Sequence, residues 1–177
     1  MSRGFVKEED QEEPPFIPPR ASLPPGAINY VTPEGYQDLI KERENLEAKL
    51  ANLDMEDDKE RRHTRATLSG SLNLLNERIS SARILEPLEQ PQDEARFGAR
   101  VKFKILTGKQ KGAIHKFQLV GVDEADIKEY KIAFVAPISR ALTGKKVGEI
   151  AEISMGGENQ QMEILEIEYS GGEKSED

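Results

Sequence analysis

With 177 residues the chain has room for one ordinary domain and an appendage. A net charge of −8 and a sequence pI near 5.0 argue against wrapping duplex DNA as the main activity, because phosphate binding needs a basic footprint. The absence of cysteine excludes a disulfide framework and a thiolate metal site, and with no membrane-length apolar run and no apolar leader it predicts a soluble, cytoplasmic protein with no membrane partner.

Residues 1–31 read as a disordered, acidic, proline-rich tail. The run Glu8-Glu9-Asp10-Gln11-Glu12-Glu13 precedes three proline pairs, a composition that favours extended backbone and offers little to bury. Phe16 and Ile17, set between two of those pairs, are a candidate docking element.

Residues 32–86 predict an antiparallel coiled-coil hairpin. Thr32-Pro33-Glu34 is a helix start, with threonine at the N-cap, proline at N1 and an acid in the first turn. Tyr36, Leu39, Leu46, Leu50 and Leu53 fall on the a and d positions of a heptad, with Arg43 the polar member. Leu68, Leu72, Leu75, Ile79 and Ala82 repeat the seam, and the pairs 36/82, 39/79, 46/72 and 50/68 each sum to 118. Folding the two helices back on each other places the turn near Lys59. Gly70, flanked by Ser69 and Ser71, marks the loosest stretch, since an interior glycine costs about 1 kcal/mol against alanine. Pro87 ends the second helix, and 87–96 reads as a linker.

From Phe97 the period changes to two. Val101–Ile105 alternates as a half-buried strand does, and Thr107–Gly112 is a loop. Ile114–Val122 and Lys131–Val135 are further strands, and Pro137–Leu142 is a short helix. Ala151–Met155 and Gln161–Tyr169 form a hairpin around Gly156-Gly157. Residues 97–169 make a small second domain and 170–177 an acidic tail, so the class is α+β.

Two clusters carry candidate chemistry. Asp54, Glu56, Asp57, Asp58 and Glu60 crowd at the hairpin tip with Lys59 as the cation among them. Such a tip invites a divalent cation or a basic surface, and Asp57 and Glu60, three apart, share one face of a helix. A magnesium ion keeps most of its waters and uses one or two carboxylates, so the tip can share a metal without enclosing it. The plain alternative is a solvated turn. Between Arg96 and Lys116 there are seven Lys or Arg residues and no acid. Arg100, Lys102, Lys104, Lys109 and Lys111, with Arg140 further on, are candidate contacts to an acidic partner or a nucleic acid backbone; the alternative is an edge strand protected by lysine. His63 and His115, the two histidines, lie too far apart for a triad or metal site, and no phosphate loop is present.

The stretch from Thr32 to Tyr169 resembles the Gre family of bacterial transcript-cleavage factors, GreA and GreB. The matching pieces are Phe97-Gly98-Ala99-Arg100-Val101, Leu119-Val120-Gly121-Val122-Asp123-Glu124-Ala125-Asp126, Ala136-Pro137-Ile138-Ser139-Arg140-Ala141-Leu142 and Lys146-Val147-Gly148-Glu149. Ile164 to Tyr169 closes the domain, Thr32-Pro33-Glu34-Gly35-Tyr36 opens the hairpin and Ala82-Arg83-Ile84-Leu85 leaves it. The resemblance implies a monomer whose FKBP-like antiparallel-sheet domain docks on RNA polymerase at its secondary channel. The hairpin then reaches the active site, where Asp57 and Glu60 help hold a shared Mg2+ while the polymerase cuts backtracked RNA. The factor is then not itself an enzyme, and it meets nascent RNA and DNA only indirectly.

The tip departs from the family pattern of Asp, two residues, Glu, Asn, Ala, one residue, Tyr. Here Asp57-Asp58-Lys59-Glu60 is followed by Arg61-Arg62-His63. Each helix is also about one heptad short, a loss of reach of about 10 Å at 1.5 Å per residue. A channel-occupying regulator without cleavage therefore stays open as a second reading, and a prolyl isomerase, suggested by the FKBP-like fold alone, as a third.

Overall fold

The computed structural model describes residues 13–170. The first regular element is strand β1, Asn29–Val31. Helix α1, Pro33–Ala51, follows Thr32, whose Oγ1 accepts the Gly35 N–H at 3.0 Å and so satisfies one of the orphan donors of the first turn. Asn52 closes it, its Nδ2 donating to Ala48 O at 2.9 Å. Helix α2, Asp58–Ser81, brings the chain back, and its 24 residues span about 36 Å at 1.5 Å per residue.

The seam is real at its base. Leu39 and Leu75 are buried with Val31, and Tyr36, Leu46, Ile79 and Ala82 pack around them. The helices diverge from the expected geometry at the turn, which occupies residues 52–57, so Lys59 lies in the first turn of α2. The leucine symmetry locates the seam but not the loop, because acids that cap a helix start α2 earlier than the pattern's midpoint.

Strand β2, Ala82–Ile84, pairs in parallel with β1, Asn29 opposite Ala82 and Val31 opposite Ile84. This corrects two expectations: β1 lies inside the stretch read as a disordered tail, and the end of the hairpin is strand, not helix. The pairing satisfies the backbone of both segments where the hairpin meets the rest of the molecule. The acidic run from Glu8 falls outside the described residues except for Glu13. The stretch read as a linker also packs: Pro87 and Ala95 are buried, and the Tyr169 hydroxyl accepts the Arg96 N–H at 2.9 Å while donating to Glu94 O at 2.6 Å.

The base is a five-stranded sheet. Its strands are β3 (Arg100–Ile105), β4 (Ile114–Val120), β5 (Lys131–Ala133), β6 (Ile150–Met155) and β7 (Glu158–Glu168), in the order β5-β4-β3-β7-β6. Period-two alternation does its work in β3, where Val101, Phe103 and Ile105 turn inward to meet Leu119, Ala151, Ile153, Met162 and Ile164. Helix α3, Pro137–Leu142, closes this core with Leu142. Gly156 and Gly157 both have positive φ, 60° and 82°, as a two-residue turn between β6 and β7 requires. One pairing departs from the antiparallel expectation, since β4 and β5 run parallel, Leu119 opposite Ile132. The connection through residues 121–130 is not a hairpin turn; it leaves the sheet to pack beneath the helices and re-enters past Tyr130, which adopts a left-handed conformation at φ 55°.

Candidate functional site

The tip is built by capping. Asp57 has extended backbone and turns its Oδ1 onto the Glu60 N–H at 2.7 Å, so it is the N-cap of α2 and not a residue of its face. That corrects the expectation that Asp57 and Glu60 point side by side from one helix. Asp58 forms an ion pair with Arg61, and Arg61 Nη1 also donates to Met55 O at 3.1 Å, tying the loop to the first turn. Asp54, Glu56, Asp57, Asp58, Lys59 and Glu60 are all exposed. Asp58 and Glu60 also sit where the helix dipole favours negative charge.

Hard carboxylate oxygens suit magnesium, and each carboxylate has acceptor sites beyond the one used in a cap or an ion pair. Among the described residues no group of three or more His, Cys, Asp or Glu is arranged to hold a metal ion. The tip thus offers carboxylate donors of the kind magnesium takes, without a cage among the described residues.

The basic stripe is answered across the sheet. In the β3–β7 ladder Arg100 lies opposite Glu168, Lys102 opposite Glu166 and Lys104 opposite Glu163. Lys116 on β4 reaches Glu168 at 2.6 Å; that hydrogen bond raises the lysine pKa and lowers the glutamate's. The charge run in the sequence is thus met by acids across the β3–β7 ladder, while Lys109 and Lys111 stand exposed on the loop before β4. Arg140, exposed on α3, lines a separate open groove of about 650 Å³ with Arg96 and the edge-packed rings of Tyr30, Phe97 and Phe134.

Sequence reasoning missed the junction. The loop Gly121–Glu124, quoted above only as a family signature, sits under the hairpin. Thr32 Oγ1 donates to Glu124 Oε2 at 2.6 Å while capping α1, and Lys131 Nζ stands 3.4 Å from Oε1. Burial pushes the Glu124 carboxyl upward, with the Thr32 and Lys131 contacts opposing that shift. Arg20 and Arg78 close on Asp123, at 3.0 Å from Oδ1 and 3.3 Å from Oδ2. Clustered small and acidic residues after a strand were the available signal, but nothing local says which element they meet.

Residues 90–169 match the family described as "Transcription elongation factor, GreA/GreB, C-term". The transcription elongation factor GreA of Thermodesulfovibrio yellowstonii is 31% identical over 156 residues, covering 78% of this chain and 96% of that protein. GreA of Bartonella henselae is 34% identical over 100 residues, 56% of this chain and 62% of that protein. Among solved structures, the GreA/GreB factor of Nitrosomonas europaea aligns over 79% of this chain and 98% of its own, at 21% identity and a TM-score of 0.38. The chain belongs to the GreA/GreB family of transcription elongation factors. Among the described residues no helix is long and apolar enough to cross a membrane.

Proposed function

We propose that this chain binds RNA polymerase at the mouth of its secondary channel and sends its helical hairpin, packed as a coiled coil, towards the active site. Residues 32–86 are the arm, and residues 97–169, an FKBP-like domain in this reading, dock on the polymerase through Arg140 and the basic residues Lys109 and Lys111. The observation that carries the reading is a loop whose acidic residues are all exposed, at the far end of a hairpin whose other end is locked into a sheet-bearing base.

At the tip, Asp57 and Glu60 contribute carboxylate oxygens towards a Mg2+ ion shared with the polymerase. Asp54, Glu56 and Asp58 keep the local potential negative, which favours the cation's approach. When bound, the ion supplies Lewis acidity for hydrolysis of backtracked RNA, a reaction whose remaining groups belong to the polymerase.

A second reading is channel occupancy without cleavage. It is favoured by the Arg61 guanidinium on Asp58 and by Asp57 being already engaged as a cap. Backtracked elongation complexes separate the two. RNA shortening by the wild-type chain that is lost in Asp57→Asn/Glu60→Gln, with polymerase binding retained, supports cleavage. Binding without shortening by the wild type favours occupancy, and absence of binding overturns both.

A further inference from the structure

The described part of the proline-rich segment does not lie apart from the hairpin. Ile17 sits on Gly70, and a Cβ built there would overlap its Cδ1 and Cγ1. The glycine that weakens α2 is therefore the seat of an isoleucine from outside the hairpin. Three residues on, Arg20 forks onto Glu42 of α1 at 2.7 and 3.0 Å, and its Nε reaches Asp123 Oδ1 at 3.1 Å. Arg78 of α2 approaches the other Asp123 oxygen at 3.3 Å and donates from Nη2 to Ala21 O at 2.6 Å. The Asp123 side chain is 8% exposed, and those of Arg20 and Arg78 are 17% and 13%.

We infer that residues 15–24 are a brace that fixes the hairpin's angle to the base and stiffens α2 at its weakest turn. Three segments converge on Asp123, the brace through Arg20, α2 through Arg78 and the base through the aspartate's own loop, and Arg20 ties in α1 through Glu42. Proline-rich backbone suits the task, because it is extended and stiff without needing a sheet partner. A planar guanidinium can bridge two carboxylates from different elements at fixed geometry, which a lysine cannot. The two ion pairs to Asp123, shielded this far from water, are weakened little by salt, whereas Arg20–Glu42, with Glu42 43% exposed, is screened more. The consequence for the tip, that it is aimed along one line and not swung, rests on the proposed function; the brace itself does not.

The chain has no cysteine, so label pairs can be placed at will. Spin labels at Phe16→Cys and Glu47→Cys report seating of the brace, and labels at Glu47→Cys and Lys128→Cys report the angle between hairpin and base. Amide exchange of residues 66–74 reports the stiffness of α2. With the native brace each label pair gives one narrow distance distribution. Arg20→Ala broadens both and speeds exchange at 66–74 by tenfold or more, with exchange in β3 and β7 unchanged as the measure of intact folding. Arg20→Lys falls between. Ile17→Asp, which leaves the arginine in place, speeds exchange at 66–74 without broadening the hairpin–base pair. Unchanged distributions and unchanged exchange in Arg20→Ala would overturn the inference. Broad distributions in the chain with its native brace would overturn it equally. All measurements use the free full-length protein, so loss of the polymerase reading leaves their outcome intact, and the reverse also holds.

Discussion

Asp57 Oδ1 lies 2.7 Å from the Glu60 backbone nitrogen, so the residue proposed to meet a metal is also the one that starts helix α2. Replacing it by alanine removes a charge and a cap together. Asp57→Ala should cost about 1 kcal/mol of stability, the usual loss of an N-cap. Asp57→Asn, which keeps an accepting oxygen, should cost a few tenths of a kcal/mol at most. Urea unfolding of the two variants checks this. RNA shortening that falls in both shows a role for the charge, whereas a fall in alanine alone traces to the frayed helix.

The Glu124 carboxyl, raised by burial, makes the folded state bind its proton more tightly than the unfolded state does. Stability contributed by the protonated form is complete below the ordinary value near 4.5 and declines as pH rises through the higher folded value. Glu124→Gln keeps an acceptor for Thr32 but cannot ionise. Its melting temperature should therefore lose this decline, and a pH series on both proteins checks the difference.

Gly35 is the second residue whose reason lies in that junction. A Cβ there would overlap Glu124 Oε2 and stand 3.2 Å from Thr32 Oγ1. Elsewhere in a helix Gly→Ala gains up to about 1 kcal/mol. Here Gly35→Ala should destabilise by about 1–3 kcal/mol, as overpacking does. Gly35→Ala/Glu124→Ala should be less destabilised than the sum of its single changes, which denaturant unfolding of all three variants measures.

Leu75 is the buried anchor of the hairpin seam at 0% exposure, while Leu50 and Leu68, nearer the tip, are only half-buried. Leu75→Ala should cost about 2–5 kcal/mol and Leu68→Ala clearly less. Equal losses at the two positions would mean that the seam is buried evenly along its length.

The sheet face carrying Lys102 and Lys104 should bind nucleic acid weakly, because Glu166 and Glu163 stand opposite. Glu163→Gln/Glu166→Gln should raise affinity for a labelled single strand and steepen its salt dependence. Fluorescence anisotropy at two salt concentrations reads both effects.

Local chemistry in the chain determined a good deal. Thr32-Pro33 set the start of α1, the heptads set its partnership with α2, alternation set β3, and Gly156-Gly157 set the last turn, because each signal acts between residues a few positions apart. The five acids were legible as a cluster at a turn, but not that one of them caps α2 or that Arg61 holds another. Tertiary structure alone decided the rest. Glu166 met Lys102 because β7 pairs with β3, β1 found β2 across the whole hairpin, and Ile17 found Gly70 across 53 positions. Such contacts depend on closing long loops around a core, and pairing over that distance leaves no periodic trace in either partner.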